Sequence, residues 1–259
     1  MTGPKLPSDR RQRIRQAFSA AADTYEAQAQ AQARAAAQLA ARLPPLPPGA
    51  RVLEVGCGTG LLTRHLLAAL PSDGRLLATD LSAEMIATAG AAIIDPRLAL
   101  AVMDAEAPDL PEHGFDLIAT SLAAQWFAEL PAALGGLTRL LAPGGTLMVG
   151  TLGAATFREW RAAHAAQGEV SGVPDYPDAA NLAAMLPGAD VARERFTLDY
   201  PDARAFLRSL AAIGAVTPRP GHAPLPPGRL RRIMARLGAP CAITWDILIL
   251  SYHKGGINA

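Results

Sequence analysis

Residues 54 to 60 read Glu-Val-Gly-Cys-Gly-Thr-Gly, a carboxylate followed by three glycines on alternate positions, set between the apolar pairs Val52-Leu53 and Leu61-Leu62. Glycine lets a chain turn tightly and leaves no Cβ between peptide groups and a ligand. A strand, this loop and a helix can therefore hold a nucleotide-like molecule against bare backbone. A loop of the form G-x-G-x-x-G aims its helix at a pyrophosphate, which an acid two residues before the first glycine would repel. Glu54 instead suits a ligand that has no phosphates and a cationic amino-acid end. A second acid, Asp80, ends the short apolar run Leu76-Leu77-Ala78-Thr79, 24 residues after Gly56. That is close to the spacing at which an acid on the next strand takes both hydroxyls of a ribose. Leu81-Ser82-Ala83-Glu84-Met85-Ile86 then opens a helix, with Ser82 as its N-cap.

S-adenosylmethionine answers that description, and the loop resembles motif I of class I methyltransferases. The resemblance implies a cofactor site made of Glu54, Gly56, Cys57, Gly58 and Gly60, of Asp80, Leu81 and Met85, and of Asp104 and Ala105 at the adenine. It also implies Ser121 and Leu122 at the methionine end.

These residues need a sheet to hold them. From Arg51 the pattern alternates: strand 51–55, helix 60–70, strand 75–79, helix 83–91, strand 98–102, a loop, then strand 115–120. Such alternation predicts an α/β fold, a Rossmann-like parallel sheet with helices on both faces and ligand at the carboxyl ends of the strands. A helix near Leu130 to Leu141 stops at Ala142-Pro143-Gly144-Gly145 and feeds a fifth strand, 146–151. Four regions are expected: an N-terminal helical lid (1–48), the binding core (49–151), an inserted cap (152–190) and a C-terminal completion of the sheet (191–259). Residues 11–43, rich in Ala, Gln and Arg, read as one long or two short helices ended by a proline-rich stop.

Composition narrows the class. With 259 residues, 50% of them hydrophobic, and a net charge of +1, the chain can bury a full core and is not a general polyanion binder. Neither nucleic acid nor membrane is an expected partner, since there is no long basic stripe and no apolar run approaches the roughly 20 residues of a membrane span. Two cysteines, Cys57 and Cys241, offer no metal-ligand spacing and no disulfide framework, so no metal is expected and a reducing, cytoplasmic setting is. Charge is locally uneven: Arg10, Arg11, Arg13 and Arg15 crowd the start, and Arg229, Arg231, Arg232 and Arg236 a late helix. Each run reads as a solvated face or as a surface that steers an acidic protein partner.

Several segments outside the loop resemble the malonyl-acyl carrier protein O-methyltransferase family of biotin synthesis (BioC). They are Phe18-(x)6-Tyr25-(x)6-Gln32, Ser121-Leu122-Ala123-Ala124-Gln125-Trp126, and Leu207-Arg208-Ser209-Leu210 with Ile213-Gly214-Ala215. The likeness runs from about residue 11 to 254. It implies methyl transfer from S-adenosylmethionine, leaving S-adenosylhomocysteine, to the free carboxylate of malonyl-acyl carrier protein or malonyl-CoA. A carboxylate with a pKa of about 4 is already ionised at neutral pH, so no general base is needed. Alignment and exclusion of water take its place, worth roughly 7–11 kcal/mol from proximity. Tyr25 and Gln32 are then expected on a lid over the cofactor, Gln125 and Trp126 facing the transferring methyl group, and Arg208 at the substrate carboxylate or thioester. Where the family commonly continues Ile-Gly-Ala with Thr-His, this chain has Val216-Thr217, so that histidine's role does not transfer; His222 reads either as its substitute or as an incidental loop histidine. A methyltransferase of another small carboxylate or hydroxyl, and a non-catalytic cofactor-binding assembly protein, remain as alternatives.

Overall fold

In the computed structural model, which describes residues 8–21 and 25–255, seven strands form one sheet. In chain order they are β1 (Arg51–Val55), β2 (Arg75–Asp80), β3 (Leu98–Val102), β4 (Phe115–Ser121), β5 (Leu141–Leu152), β6 (Asp190–Tyr200) and β7 (Cys241–His253). The spatial order is β3-β2-β1-β4-β5-β7-β6. The first five strands run parallel, and β7 joins β5 and β6 antiparallel. The order of strands across the sheet reverses between β1 and β4, which opens a crevice at their carboxyl ends where ligands of such sheets bind.

The central strands are apolar because both faces are covered: Val52, Leu53, Glu54 and Val55 of β1 are all buried. The crossover helices are α4 (Leu61–Ala69), α5 (Ala83–Ala92) and α6 (Leu130–Leu140). Ser82 caps α5, its hydroxyl accepting from the Met85 N–H at 3.2 Å. The Ala142-Pro143-Gly144-Gly145 turn falls inside β5 instead of before it. β4 pairs Phe115 with Leu141 and then Leu117 with Thr146, so a bulge absorbs the turn.

The N-terminal stretch makes three helical pieces, α1 (Ser8–Ala21), α2 (Tyr25–Gln28) and α3 (Gln30–Ala40). The side chain of Arg10 lies outside the described part. On α3 the stripe Ala31, Ala35, Ala36 and Leu39 is buried, and its small residues let the helix lie close against α4 and β5. Between β5 and β6, in the segment expected to cap the core, lie α7 (Arg158–Ala165) and α8 (Ala179–Ala184). α7 packs on β7, while α8 sends Leu182 into the core beside Leu248 and Leu250. Two further helices, α9 (Ala203–Ala212) and α10 (Pro227–Leu237), connect β6 to β7. Among the described residues, no helix is long and apolar enough to cross a membrane.

Candidate active site

The tips of β1, β2 and β4 surround a cavity of about 130 Å³. Gly56, at φ +69°, has no room for a side chain, since a Cβ there would come within 2.3 Å of the Ala123 Cβ. The Gly58 N–H donates to Asp80 Oδ2 at 2.9 Å, and the Ser82 N–H to Oδ1 at 2.9 Å. Asp80 is thus aimed by the very loop it faces. Burial still pushes its carboxyl above the usual range, against the pull of those N–H donors.

Glu54 is 1% exposed, and its carboxyl group accepts from the Thr63 hydroxyl at 2.6 Å. Burial pushes its pKa up to about 8; the Thr63 bond opposes the rise, and the charge of Asp80 adds to it. A buried carboxyl in this state is short of a positive partner. Burial and, secondarily, the charge of Asp80 raise the pKa of Tyr25, so its hydroxyl keeps its proton. Leu122, at the end of β4, has φ +52°, a strained conformation for a branched residue that costs on the order of 1–3 kcal/mol. Its N–H donates to Gly150 O at 2.8 Å and its carbonyl accepts from Gln125 Nε2 at 2.6 Å, so the surroundings hold the strain in place.

A second, larger cavity of about 390 Å³ adjoins the first. Phe18, Tyr25, Gln32, Leu122 and Trp126 line both. Its walls are aromatic and aliphatic: Phe157, Trp160, Tyr176, Phe206 and Trp245, with Leu207, Leu210 and Leu230. Phe206 meets Phe157, Trp160 and Tyr200 edge to face at centroid distances of 5.1, 6.0 and 5.3 Å. Across the seam Phe18 of α1 stands edge-on to Trp126 at 5.4 Å, joining α1 to the turn that follows β4. Two amide oxygens at this junction, Gln32 Oε1 and Gln125 Oε1, are buried without a hydrogen-bond partner. Buried polar groups are rarely left in that state. His164 donates through Nδ1 to Trp160 O at 2.9 Å, and burial lowers its pKa, leaving a neutral ring in the wall.

Of the residues read from sequence, Tyr25, Gln32, Glu54, Gly56, Cys57, Gly58, Asp80, Leu81, Met85, Asp104, Ala105, Ser121, Leu122 and Trp126 all line the first cavity. Three fall elsewhere. Gln125 faces only the second cavity. Gly60, at φ +95°, caps α4 and shapes the loop without lining the site. Arg208, expected at the substrate carboxylate, is exposed on α9 and lines neither cavity, because Phe206, Leu207 and Leu210 take that helix's inward face.

Sequence reasoning missed Arg11, whose guanidinium donates to Asp104 Oδ2 at 2.5 Å and Glu106 Oε2 at 3.1 Å at the rim of the first cavity. It also missed nearly all of the chamber's aromatic wall. On α9 the signal was present: apolar residues at 203, 206, 207 and 210 follow the helical period and turn Arg208 outward.

The methyltransferase-domain family profile matches residues 52–145. Solved structures of similar shape include the YcgJ protein from Bacillus subtilis, with a TM-score of 0.61 and 14% identity over 86% of this chain and 99% of that one. Another is phosphoethanolamine N-methyltransferase 2 of Haemonchus contortus in complex with S-adenosyl-L-methionine, at TM-score 0.59 and 16% identity over 92% of this chain and 57% of that one. At these identities the likeness is one of fold. Sheet order, glycine loop and paired acids together define a class I S-adenosylmethionine-dependent methyltransferase. Among named relatives, the malonyl-[acyl-carrier protein] O-methyltransferase of Magnetococcus marinus is 40% identical over 87% of this chain and 85% of its own length. The biotin biosynthesis bifunctional protein BioCD of Bordetella avium is 43% identical over 85% of this chain, which spans 48% of that longer protein. The chain belongs to the malonyl-acyl carrier protein O-methyltransferase family.

The donor set suits the methyl donor. A cradle that admits no Cβ at Gly56, two acids on neighbouring strand tips and a buried carboxyl lacking a cation match a nucleoside with a positively charged amino-acid tail.

Proposed function

We propose that this protein methylates the free carboxylate of malonyl-acyl carrier protein, yielding the methyl ester that starts the pimeloyl chain of biotin. One observation carries the reading: a cavity holding Glu54, Asp80 and Asp104 and a more apolar chamber share Phe18, Tyr25, Gln32, Leu122 and Trp126, so a donor in one and an acceptor in the other meet at that seam. The names of the relatives supply the acceptor's identity.

Bound S-adenosylmethionine supplies an electrophilic methyl group on a sulfonium. The chain's own residues do the rest by placement. Lining the first cavity, Asp80 would take the ribose hydroxyls, Glu54 would face the cationic tail, and Asp104 with Ala105 would border the adenine. Tyr25, as a neutral phenol, donates a hydrogen bond at the seam, and the Gln32 and Gln125 amides orient polar groups that enter it. Phe18, Trp126 and the aromatic wall exclude water, so the entering carboxylate sheds part of its hydration and becomes a better nucleophile. No proton has to move, because the acceptor carboxylate is already ionised at neutral pH. Cys57 and Cys241, both unpaired and buried, support a reducing, cytoplasmic setting.

The test is direct. Purified protein incubated with S-adenosylmethionine and malonyl-acyl carrier protein should add one methylene mass to the acyl group by mass spectrometry. Cofactor binding without that gain on any malonyl thioester would refute the assignment.

A further inference from the structure

The wall of the chamber has a charge imbalance of its own. Residues 203–245 contain seven arginines and no aspartate or glutamate, which leaves the rest of a +1 chain at net −6. The same stretch contributes Phe206, Leu207 and Leu210 of α9 and Leu230 of α10 to the chamber. Its apolar inside and its cationic outside are two faces of the same helices. Arg204 and Arg208 stand one turn apart on the exposed side of α9, and Arg231 and Arg236 are exposed on the adjoining α10. Among the described residues none of these four makes an ion pair, whereas Arg229 pairs with Glu169 and Arg232 donates to Gln167 at 3.2 Å. The other basic run differs. Arg11 is committed to Asp104 and Glu106 and borders the cofactor cavity, not the chamber.

Charges in this arrangement select the shape of the partner as well as its sign. With screening over about 8 Å at physiological salt, a compact protein with a local acidic face senses the patch alone. An extended polyanion would also run onto the acidic remainder of the surface.

We propose that Arg204, Arg208, Arg231 and Arg236 form the docking face for an acidic carrier protein, which thereby brings its acyl arm to the chamber walled by the same two helices. The inference rests on the reading that the acceptor is carrier-bound. It gives Arg208 a place on the docking face instead of the one expected at the carboxylate or thioester.

The test is Arg231→Glu with Arg236→Glu in the full chain, assayed on malonyl-acyl carrier protein and on a small malonyl thioester of N-acetylcysteamine. The expected result is a fall in kcat/KM of about tenfold or more on the carrier, narrowing as salt rises from about 0.05 M to about 0.5 M, with the small thioester unchanged within about twofold. Arg139→Glu on α6, which lines neither cavity, should affect neither substrate. Equal losses on both substrates, or no loss on the carrier, would overturn the docking face while leaving methyl transfer intact. If the unsubstituted protein shows no turnover, binding of fluorescently labelled carrier protein decides. Weaker binding by the double variant keeps the face and sinks the methylation. Equal binding, or none by either protein, sinks the face.

Discussion

The two cavities that meet at Trp126 are built by opposite means. The cofactor cavity is built around a glycine loop and strand-tip acids within residues 54 to 127, with residues of the N-terminal helices completing its lining. The chamber is made of bulky side chains contributed by the N-terminal helices, α7, α9, α10, β7 and the loops between them, spread from residue 18 to 245. Backbone cradles need particular residues at fixed spacing, while packed walls need only volume and apolarity. Mutations should accordingly cost binding in the first cavity and fold stability in the second.

The largest effect expected is at Phe206, which is fully buried among four aromatic rings counting Trp245 through Phe157. Phe206→Ala should lower stability by about 3–5 kcal/mol in chemical denaturation. Cofactor affinity should change little in whatever remains folded. At Gly56 the expectation is reversed. A methyl group 2.3 Å from the Ala123 Cβ, at φ +69°, should weaken cofactor binding at least about a hundredfold by calorimetry, with the circular dichroism spectrum kept. A Gly56→Ala variant that binds normally would break the distinction between the two cavities.

That distinction also explains what was legible beforehand. β1, β2 and β4 could be read because each ends at or beside a residue that does chemistry or turns the chain: Glu54, Asp80 and Ser121. The Gly56 to Gly60 spacing specifies a loop on its own. By contrast Phe157, Trp160 and Trp245 look like ordinary core residues in sequence, and only the fold brings residues so far apart to one wall. Arg208 was placed at the site from a family-like segment although the apolar period of its own helix turned it outward. Arg11 carried no local signal, since its partners Asp104 and Glu106 lie more than 90 positions away.

Glu54 gives the comparison a pH dependence. Below its ordinary value of 4.5 the buried carboxyl is protonated in both the folded and unfolded chain, and its contribution to stability is complete. As pH rises from 4.5 through about 8 the unfolded chain loses the proton first, so the ligand-free protein should grow less stable across that window. A cation beside Glu54 favours the ionised form and removes the penalty. Cofactor binding near pH 7 should therefore release close to one proton, read as a dependence of the calorimetric enthalpy on buffer ionisation. Glu54→Gln should abolish the release, flatten melting temperature against pH, and weaken the cofactor by about ten- to thirtyfold. Undiminished proton release in Glu54→Gln would assign the raised carboxyl elsewhere, with Asp80 the first candidate.

The smallest effect belongs to Arg11, which sits where lid meets cradle. Its side chain is 36% exposed, and its partners Asp104 and Glu106 are 28% and 16% exposed. Solvent screening holds such pairs to about 1 kcal/mol or less. Asp104 is also oriented without Arg11, because its Oδ1 accepts the Glu106 N–H at 3.0 Å. Arg11→Ala should consequently leave cofactor affinity within about fivefold while speeding dissociation, as expected when a helix strapped over a bound molecule loses one fastening. Among the fastenings that remain are the Ser19 hydroxyl, which donates to Glu84 at 2.6 Å and lies 3.0 Å from the Ser82 hydroxyl, and the contact of Phe18 with Trp126. If Arg11→Ala instead abolished binding, Arg11 would have to touch the ligand itself, and the cofactor cavity would depend on a distant side chain as fully as the chamber does.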